Sequence, residues 1–173
     1  MFKKIIPNLL TFANLSFGVL SMFTIIKQNY IAGALFIMVS AFIDRYDGRI
    51  ASHLNVSSEL GKELDSLADL VSFGVAPALL IFNKFNVLDL GNIKVVGVCF
   101  LLLYIISGCY RLAKYNITEF NGYFTGVPIT VAGFIIAAYS LVSPGNYIAA
   151  IISIAMLVLL AYLMVSKFKL KKV

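Results

Sequence analysis

The chain has 173 residues, of which 61% are aliphatic, aromatic or cysteine and only 13% are charged, with a formal net charge of +6. So apolar a composition excludes an ordinary soluble domain. A hydrocarbon core of roughly 30 Å calls for about 20 apolar residues per helix, and six such windows follow one another, at roughly 6–26, 30–53, 62–83, 94–115, 125–142 and 147–166. They occupy nearly the whole chain, with no internal repeat and no low-complexity linker. Residues 1–173 therefore read as a single all-α, polytopic membrane domain with six transmembrane helices.

The first window lies in "MFKKIIPNLLTFANLSFGVLS", which has the basic start and apolar run of a signal peptide. The run is long, however, it carries Pro7, Asn8 and Asn14, and further spans follow, so a retained first helix is expected, with cleavage as the alternative. Cys99 and Cys109 fall in the fourth window. A helical rise of 1.5 Å per residue puts them about 15 Å apart, too far for a disulfide, and both are expected to pack between helices. Gly126-Val127-Pro128 predicts a helix start or a kink in the fifth window.

Six spans put both termini on one side, together with Lys3, Lys4, Arg45, Arg49, Lys62, Arg111, Lys114, Lys167, Lys169, Lys171 and Lys172. Only Lys27, Lys84 and Lys94 remain for the other side, eleven against three. That bias predicts cytoplasmic termini, and it accounts for the net charge without a nucleic-acid partner. The terminal "SKFKLKKV" reads as a basic patch beside anionic membrane lipid.

Residues 41–70, "AFIDRYDGRIASHLNVSSELGKELDSLADL", hold six of the eight carboxylates. Asp44 and Asp47 lie near the cytoplasmic end of the second span, and Asp65 and Asp69 near the cytoplasmic start of the third. At 100° per residue, Asp44, Asp47, Gly48 and Ala51 occupy one arc of about 100°. Gly61, Asp65 and Asp69 follow at i, i+4 and i+8, again on one face. Two neighbouring antiparallel helices can thus present four carboxylates to one point. A structural reading is available for Asp65 and Asp69, which suit a helix N-terminus, but not for Asp44 and Asp47 at a C-terminal end. Converging carboxylates with small residues between them point to hard divalent cations, magnesium or manganese.

Asp44-x2-Asp47-Gly48-x2-Ala51 followed by Gly61-x3-Asp65-x3-Asp69 resembles the signature of the CDP-alcohol phosphatidyltransferases. "SFGVAPA" at 72–78, "IPNLLTFANLSFG" in the first span and "RLAKYN" at 111–116 are similar to the phosphatidylserine synthase branch of that family. The resemblance implies six transmembrane helices, a homodimer, and a reaction at the cytoplasmic face of the cell membrane. In it, two divalent cations, Mg2+ or Mn2+, would be held by Asp44, Asp47, Asp65 and Asp69, with Asp69 also the base. Asn8, Gly48, Arg49, Ser52, Ser58 and Gly61 would contact the CDP-lipid donor. The family has arginine where this chain has Ser52; Arg49, about 60° around the helix, is the guanidinium nearest that position.

The branch implies L-serine as acceptor, and the residues supply a matching anion site. Arg111 and Lys114, at i and i+3, share a helix side and could hold the serine carboxylate; the alternative is that they anchor the cytoplasmic helix end. Asn8 reads equally as a ligand and as a partner for backbone freed by Pro7. His53 reads as a polar interfacial residue. It is the single histidine, with no lysine two residues on, so a covalent phosphatidyl-enzyme built on histidine-lysine motifs is not expected. The products would be CMP and phosphatidylserine or its ether analogue. Alternatives are a phosphorylated polyol acceptor and, from another class, an ion-coupled transporter.

Overall fold

A computed structural model describes residues 5–54, 58–87, 94–118, 123–166 and 169–171, with the side chains of 5–7, 50–54, 94, 123–125 and 169–171 outside that description. Its elements are α1 (Ile5–Ile26), α2 (Tyr30–Leu54), α3 (Glu59–Asp69), a π-helical turn (Leu70–Val75), α4 (Ala76–Lys84), α5 (Lys94–Ile117), β1 (Tyr123–Thr125), α6 (Ile129–Val142), α7 (Tyr147–Val165) and β2 (Lys169–Lys171). α3, the π turn and α4 run on as one rod, so six helical rods stand where the six apolar windows lie. Four of them, Asn8–Ile26, Glu59–Lys84, Val95–Ile117 and Tyr147–Val165, are long and apolar enough to cross a membrane. α2 has 25 residues but carries Asp44, Arg45, Asp47 and Arg49 in its second half, and α6 has only 14.

Short polar side chains start three of the rods. Asn29 accepts the backbone N–H of Ala32 at 3.1 Å, Ser58 that of Gly61 at 3.0 Å, and Asn146 that of Ala149 at 2.9 Å. Each satisfies a donor that the first helical turn leaves unpaired. The link before α2 is tight, with Gln28 at φ 62°. The fifth helix begins at Ile129 rather than at 125, because Gly126 takes φ +76° and Pro128 supplies its N-cap. Residues 123–125 instead pair antiparallel with 169–171, the only strands among the described residues. This ribbon ties the chain end to the base of α6, helped by a bond from the Val127 N–H to the Leu163 carbonyl at 3.1 Å.

The π turn sits at the centre, packed by α1, α5 and α6. Pro77, in the first turn of α4, has no N–H to give the carbonyl of Phe73 four residues back, and its ring crowds that carbonyl. A widened turn relieves the crowding. The buried Tyr104 hydroxyl of α5 then donates to the freed Phe73 carbonyl at 2.7 Å. Two glycines allow the backbones to meet here. A Cβ on Gly18 would lie 2.3 Å from Ser72 Oγ, and one on Gly133 would lie 2.9 Å from Phe73 Cα.

The interior is small and hydroxylic while the outside is apolar, as helix packing in lipid favours. Ser21, Ser40, Ser72 and Ser153 are buried and each donates to a main-chain carbonyl. Leu9, Ile26, Ile31, Phe42, Ile106 and Tyr162 are among the large side chains on the exterior. Cys99 and Cys109 are unpaired, as expected, but lie on this exterior rather than between helices. α5 packs through Gly97, Leu101, Tyr104, Gly108 and Leu112, one stripe that turns both thiols outward. At the end of the bundle remote from the acids, Lys84 Nζ donates to the carbonyls of Ser140 and Ser143, closing the C-terminus of α6.

Gly133→Val should lower stability by about 1–3 kcal/mol, because the added carbons meet backbone rather than a yielding side chain. Thermal unfolding in detergent measures this, with the exterior change Ile148→Val leaving the midpoint in place.

Candidate functional site

α2 and α3 bring their acidic faces together. Oxygens of Asp44, Asp47 and Asp65 lie within 4.8 Å of one another. Asp69, one turn after Asp65, is buried beside them, with its carboxyl within reach of that of Asp44. Three of the four acids are held by neutral donors from other rods. Thr11 of α1 donates to Asp47 at 3.3 Å, Asn14 of α1 to Asp69 at 3.1 Å, and Thr130 of α6 to Asp44 at 3.1 Å. Asp65 has a buried Oδ1 with no hydrogen-bond partner among the described residues.

Charge, not only hydrogen bonding, distinguishes this cluster. Ionised carboxylates this close repel by about 3–4 kcal/mol per pair at an effective dielectric near 20. Arg45 and Arg49 lie on the same helix as two of the acids, yet both point outward and are exposed. The donors that do reach the acids are uncharged. An unpaired Asp65 oxygen inside an acidic triad therefore fits a hard cation that prefers oxygen ligands, and the residues present are of the right type to hold one.

The other expected site residues divide into three groups. Asn8, Ser58 and Gly61 meet where α1 passes the start of α3: a Cβ on Gly61 would lie 3.0 Å from Ser58 Oγ and 3.4 Å from Asn8 Oδ1. Ser58 Oγ is the N-cap of α3, so its lone pair already serves the helix. Among the described residues nothing lies within 4 Å of where a Cβ on Gly48 would be. Arg49 is exposed nearby, and the Ser52 and His53 side chains lie outside the described residues.

Arg111 and Lys114 part company. Arg111 is half-buried, close enough to Asp69 to feel its charge, and its Nε has no partner among the described residues. Lys114 is exposed. Two residues further on, Asn116 donates to Ser66 Oγ at 3.0 Å and to Glu63 Oε1 at 3.1 Å, which docks the end of α5 onto α3. Glu59 and Glu63 are exposed, off the acidic face.

Thr11, Asn14 and Thr130 were not anticipated from the sequence. Asn8, Thr11 and Asn14 recur every three residues in an otherwise apolar window, spanning about 120° of α1. That polar stripe was the available signal for two of them. Thr130 carried none.

The sequence profile of the CDP-alcohol phosphatidyltransferases matches residues 4–168, which include every residue of the site. The chain belongs to the CDP-alcohol phosphatidyltransferase family. Among curated relatives of the family, a Bacillus subtilis (strain 168) protein named CDP-diacylglycerol--serine O-phosphatidyltransferase is 37% identical over 95% of this chain and 88% of its own length. A Helicobacter pylori (strain J99 / ATCC 700824) protein of the same name is 33% identical over 75% of this chain, which spans 54% of that longer relative. The archaetidylserine synthase of Methanothermobacter thermautotrophicus is 34% identical over 90% of this chain and 66% of its own length.

Proposed function

We propose that this chain transfers the phosphatidyl group of CDP-diacylglycerol, or of its ether-lipid analogue, to L-serine and releases CMP. The observation that carries the reading is the acidic triad of Asp44, Asp47 and Asp65, with Asp69 beside it and the Arg111 guanidinium within its field. The names of the relatives support serine as acceptor, and the two lipid classes among those names leave both donor types open. The single domain crosses the cell membrane six times with both termini and the site on the cytoplasmic side, and it works as a homodimer.

Asp44, Asp47, Asp65 and Asp69 would hold two divalent cations, Mg2+ or Mn2+, which would supply positive charge to neutralise the donor's pyrophosphate and the departing CMP. The lipid tails stay in the bilayer while the headgroup enters from the cytoplasm. The space over Gly48 admits the nucleotide to the α2 backbone, Asn8, Gly61 and Arg49 border its path, Ser58 fixes the start of α3, and Ser52 is assigned to the same donor by the family signature alone. Arg111 receives the serine carboxylate through its unpaired Nε. The Asp69 carboxylate takes the proton from the serine hydroxyl. The alkoxide oxygen bonds to the lipid-side phosphorus as the bond to the CMP oxygen breaks, in one displacement.

Asp65→Asn should lower turnover roughly 100-fold or more, since even residues behind metal ligands cost 10–100-fold when changed. Glu59→Gln, off the acidic face, is the control that keeps activity. CMP release from CDP-diacylglycerol, assayed with and without Mg2+ or Mn2+, reads both; near-normal Asp65→Asn activity sinks the metal assignment.

A single displacement requires inversion at a chiral lipid-side phosphorus. Retention, or exchange of CMP into the donor without an acceptor, points instead to a covalent intermediate.

Serine should outperform glycerol 3-phosphate and inositol phosphate as acceptor. Arg111→Ala should raise the KM for serine roughly 10- to 100-fold, the worth of a charge-assisted hydrogen bond. The exposed Lys114→Ala should stay within about threefold of wild type. Product from a phosphorylated alcohol but not from serine overturns the acceptor and leaves the metal site standing.

A further inference from the structure

Asn14 is fully buried in the middle of α1, yet it is the most polar side chain of the interior outside the acids. Two of its groups do separate work. Its main-chain carbonyl accepts Ser40 Oγ of α2 and Ser72 Oγ of the π turn, each at 3.1 Å, which clamps three rods together. Any residue at this position keeps that carbonyl, so the clamp does not explain an asparagine. The side-chain amide instead donates through Nδ2 to Asp69 Oδ1 at 3.1 Å, and its own Oδ1 has no partner among the described residues. A side chain chosen only for packing would not leave a buried carbonyl oxygen unpaired. The amide is held for its donor.

We infer that Asn14 is a positioning residue for Asp69: by taking up Oδ1, it fixes the rotamer of that carboxylate and leaves Oδ2 to face the reacting centre. The inference rests on the functional reading above for the role of Asp69, and adds to it a residue of α1, a helix with no charged side chain of its own. Three features fit. Thr11, one turn earlier on α1, does the same for Asp47, so one rod addresses both acidic helices. Thr11 and Asn14 are uncharged donors, which orient a carboxylate without neutralising it as an arginine would. Gly18, one turn later, lets α1 approach Ser72 closely, which sets the reach of Asn14 toward Asp69.

The test compares Asn14→Leu, of similar size without a donor, with Asn14→Asp, of the same shape with an acceptor in place of the donor. Asn14→Ala serves if leucine blocks folding. Each is purified in detergent and measured for kcat, KM for CDP-diacylglycerol, Mn2+ affinity by electron paramagnetic resonance, and thermal midpoint. Loss of one charge-assisted hydrogen bond predicts a kcat lower by roughly 10- to 100-fold. The lipid KM and the thermal midpoint of Asn14→Leu stay near wild type, and Mn2+ still binds at the Asp44–Asp47–Asp65 triad within about threefold. A kcat within about threefold of wild type in a folded variant overturns the inference, as does a fall of midpoint, Mn2+ affinity and kcat together in every variant, which marks a packing role. Asp69→Asn and wild type run alongside. An inactive Asp69→Asn with active Asn14 variants overturns this inference alone, whereas a wild type that forms no phosphatidylserine from serine overturns the functional reading.

Discussion

Mutual repulsion of carboxylates is the constraint around which the bundle is arranged. Asp44, Asp47 and Asp65 put oxygens within 4.8 Å of one another, at the ends of rods whose outer faces are apolar. Left alone, such a cluster would push α2 and α3 apart. The two helices stay together, and the arginine that does come near, Arg111 of α5, stands beside Asp69. Arg45 and Arg49 turn outward, and the acids are gripped by Thr11, Asn14 and Thr130, donors without charge. Uncharged donors orient carboxylates without neutralising them, so the triad remains a cluster that could hold a cation.

Rigidity of the grip depends on the centre of the molecule. Pro77 frees the Phe73 carbonyl, the turn widens, and Tyr104 takes up that carbonyl. The same turn follows directly on Asp69, so its register sets where Asp69 points. Gly18 and Gly133 bring α1 and α6 onto it from two directions, and these are the two rods that carry Thr11, Asn14 and Thr130. The fold feature most remote from the chemistry in kind, a proline-induced wide turn, is therefore coupled by two short chains of contacts to the acids themselves.

Much of this was legible in the sequence because it is periodic. Apolar windows of the right length located the rods, and 100° spacing put Asp44 with Asp47 and Asp65 with Asp69. What was not legible arises from contacts distant along the chain. Thr130 reaches Asp44 across 86 residues and Asn14 reaches Asp69 across 55, and no local pattern encodes such pairs. The fifth window began too early at 125, although Gly126-Val127-Pro128 marked a helix start inside it: Gly126 takes φ +76° and Pro128 caps α6, so the helix begins at Ile129. The two cysteines were misplaced for a related reason: in an all-apolar helix, periodicity does not say which face packs, and the small residues Gly97 and Gly108 decided it. Arg111 and Lys114 looked equivalent at i and i+3, but they straddle the edge of the α3 contact that Asn116 fixes, so one is drawn in and the other stays out.

Unpaired atoms complete the argument. Five buried side-chain atoms lack a hydrogen-bond partner among the described residues: Asn14 Oδ1, Asp65 Oδ1, Arg111 Nε, Ser140 Oγ and Ser143 Oγ. The two serines flank the Lys84 cap at the far end of the bundle, where their carbonyls, not their hydroxyls, are engaged. The other three belong to one neighbourhood, an oxygen acceptor in the acidic triad, a cationic donor beside Asp69, and the amide that holds Asp69. Buried polar groups are normally paired, so a cluster of exceptions with both signs of partner missing among the described residues fits the proposed function. On that proposal, Asp65 would offer an oxygen to a cation and Arg111 an N–H to an anion. A metal-bound nucleotide lipid and a carboxylate-bearing alcohol meet those two demands at once, whereas a transported cation would meet only the first.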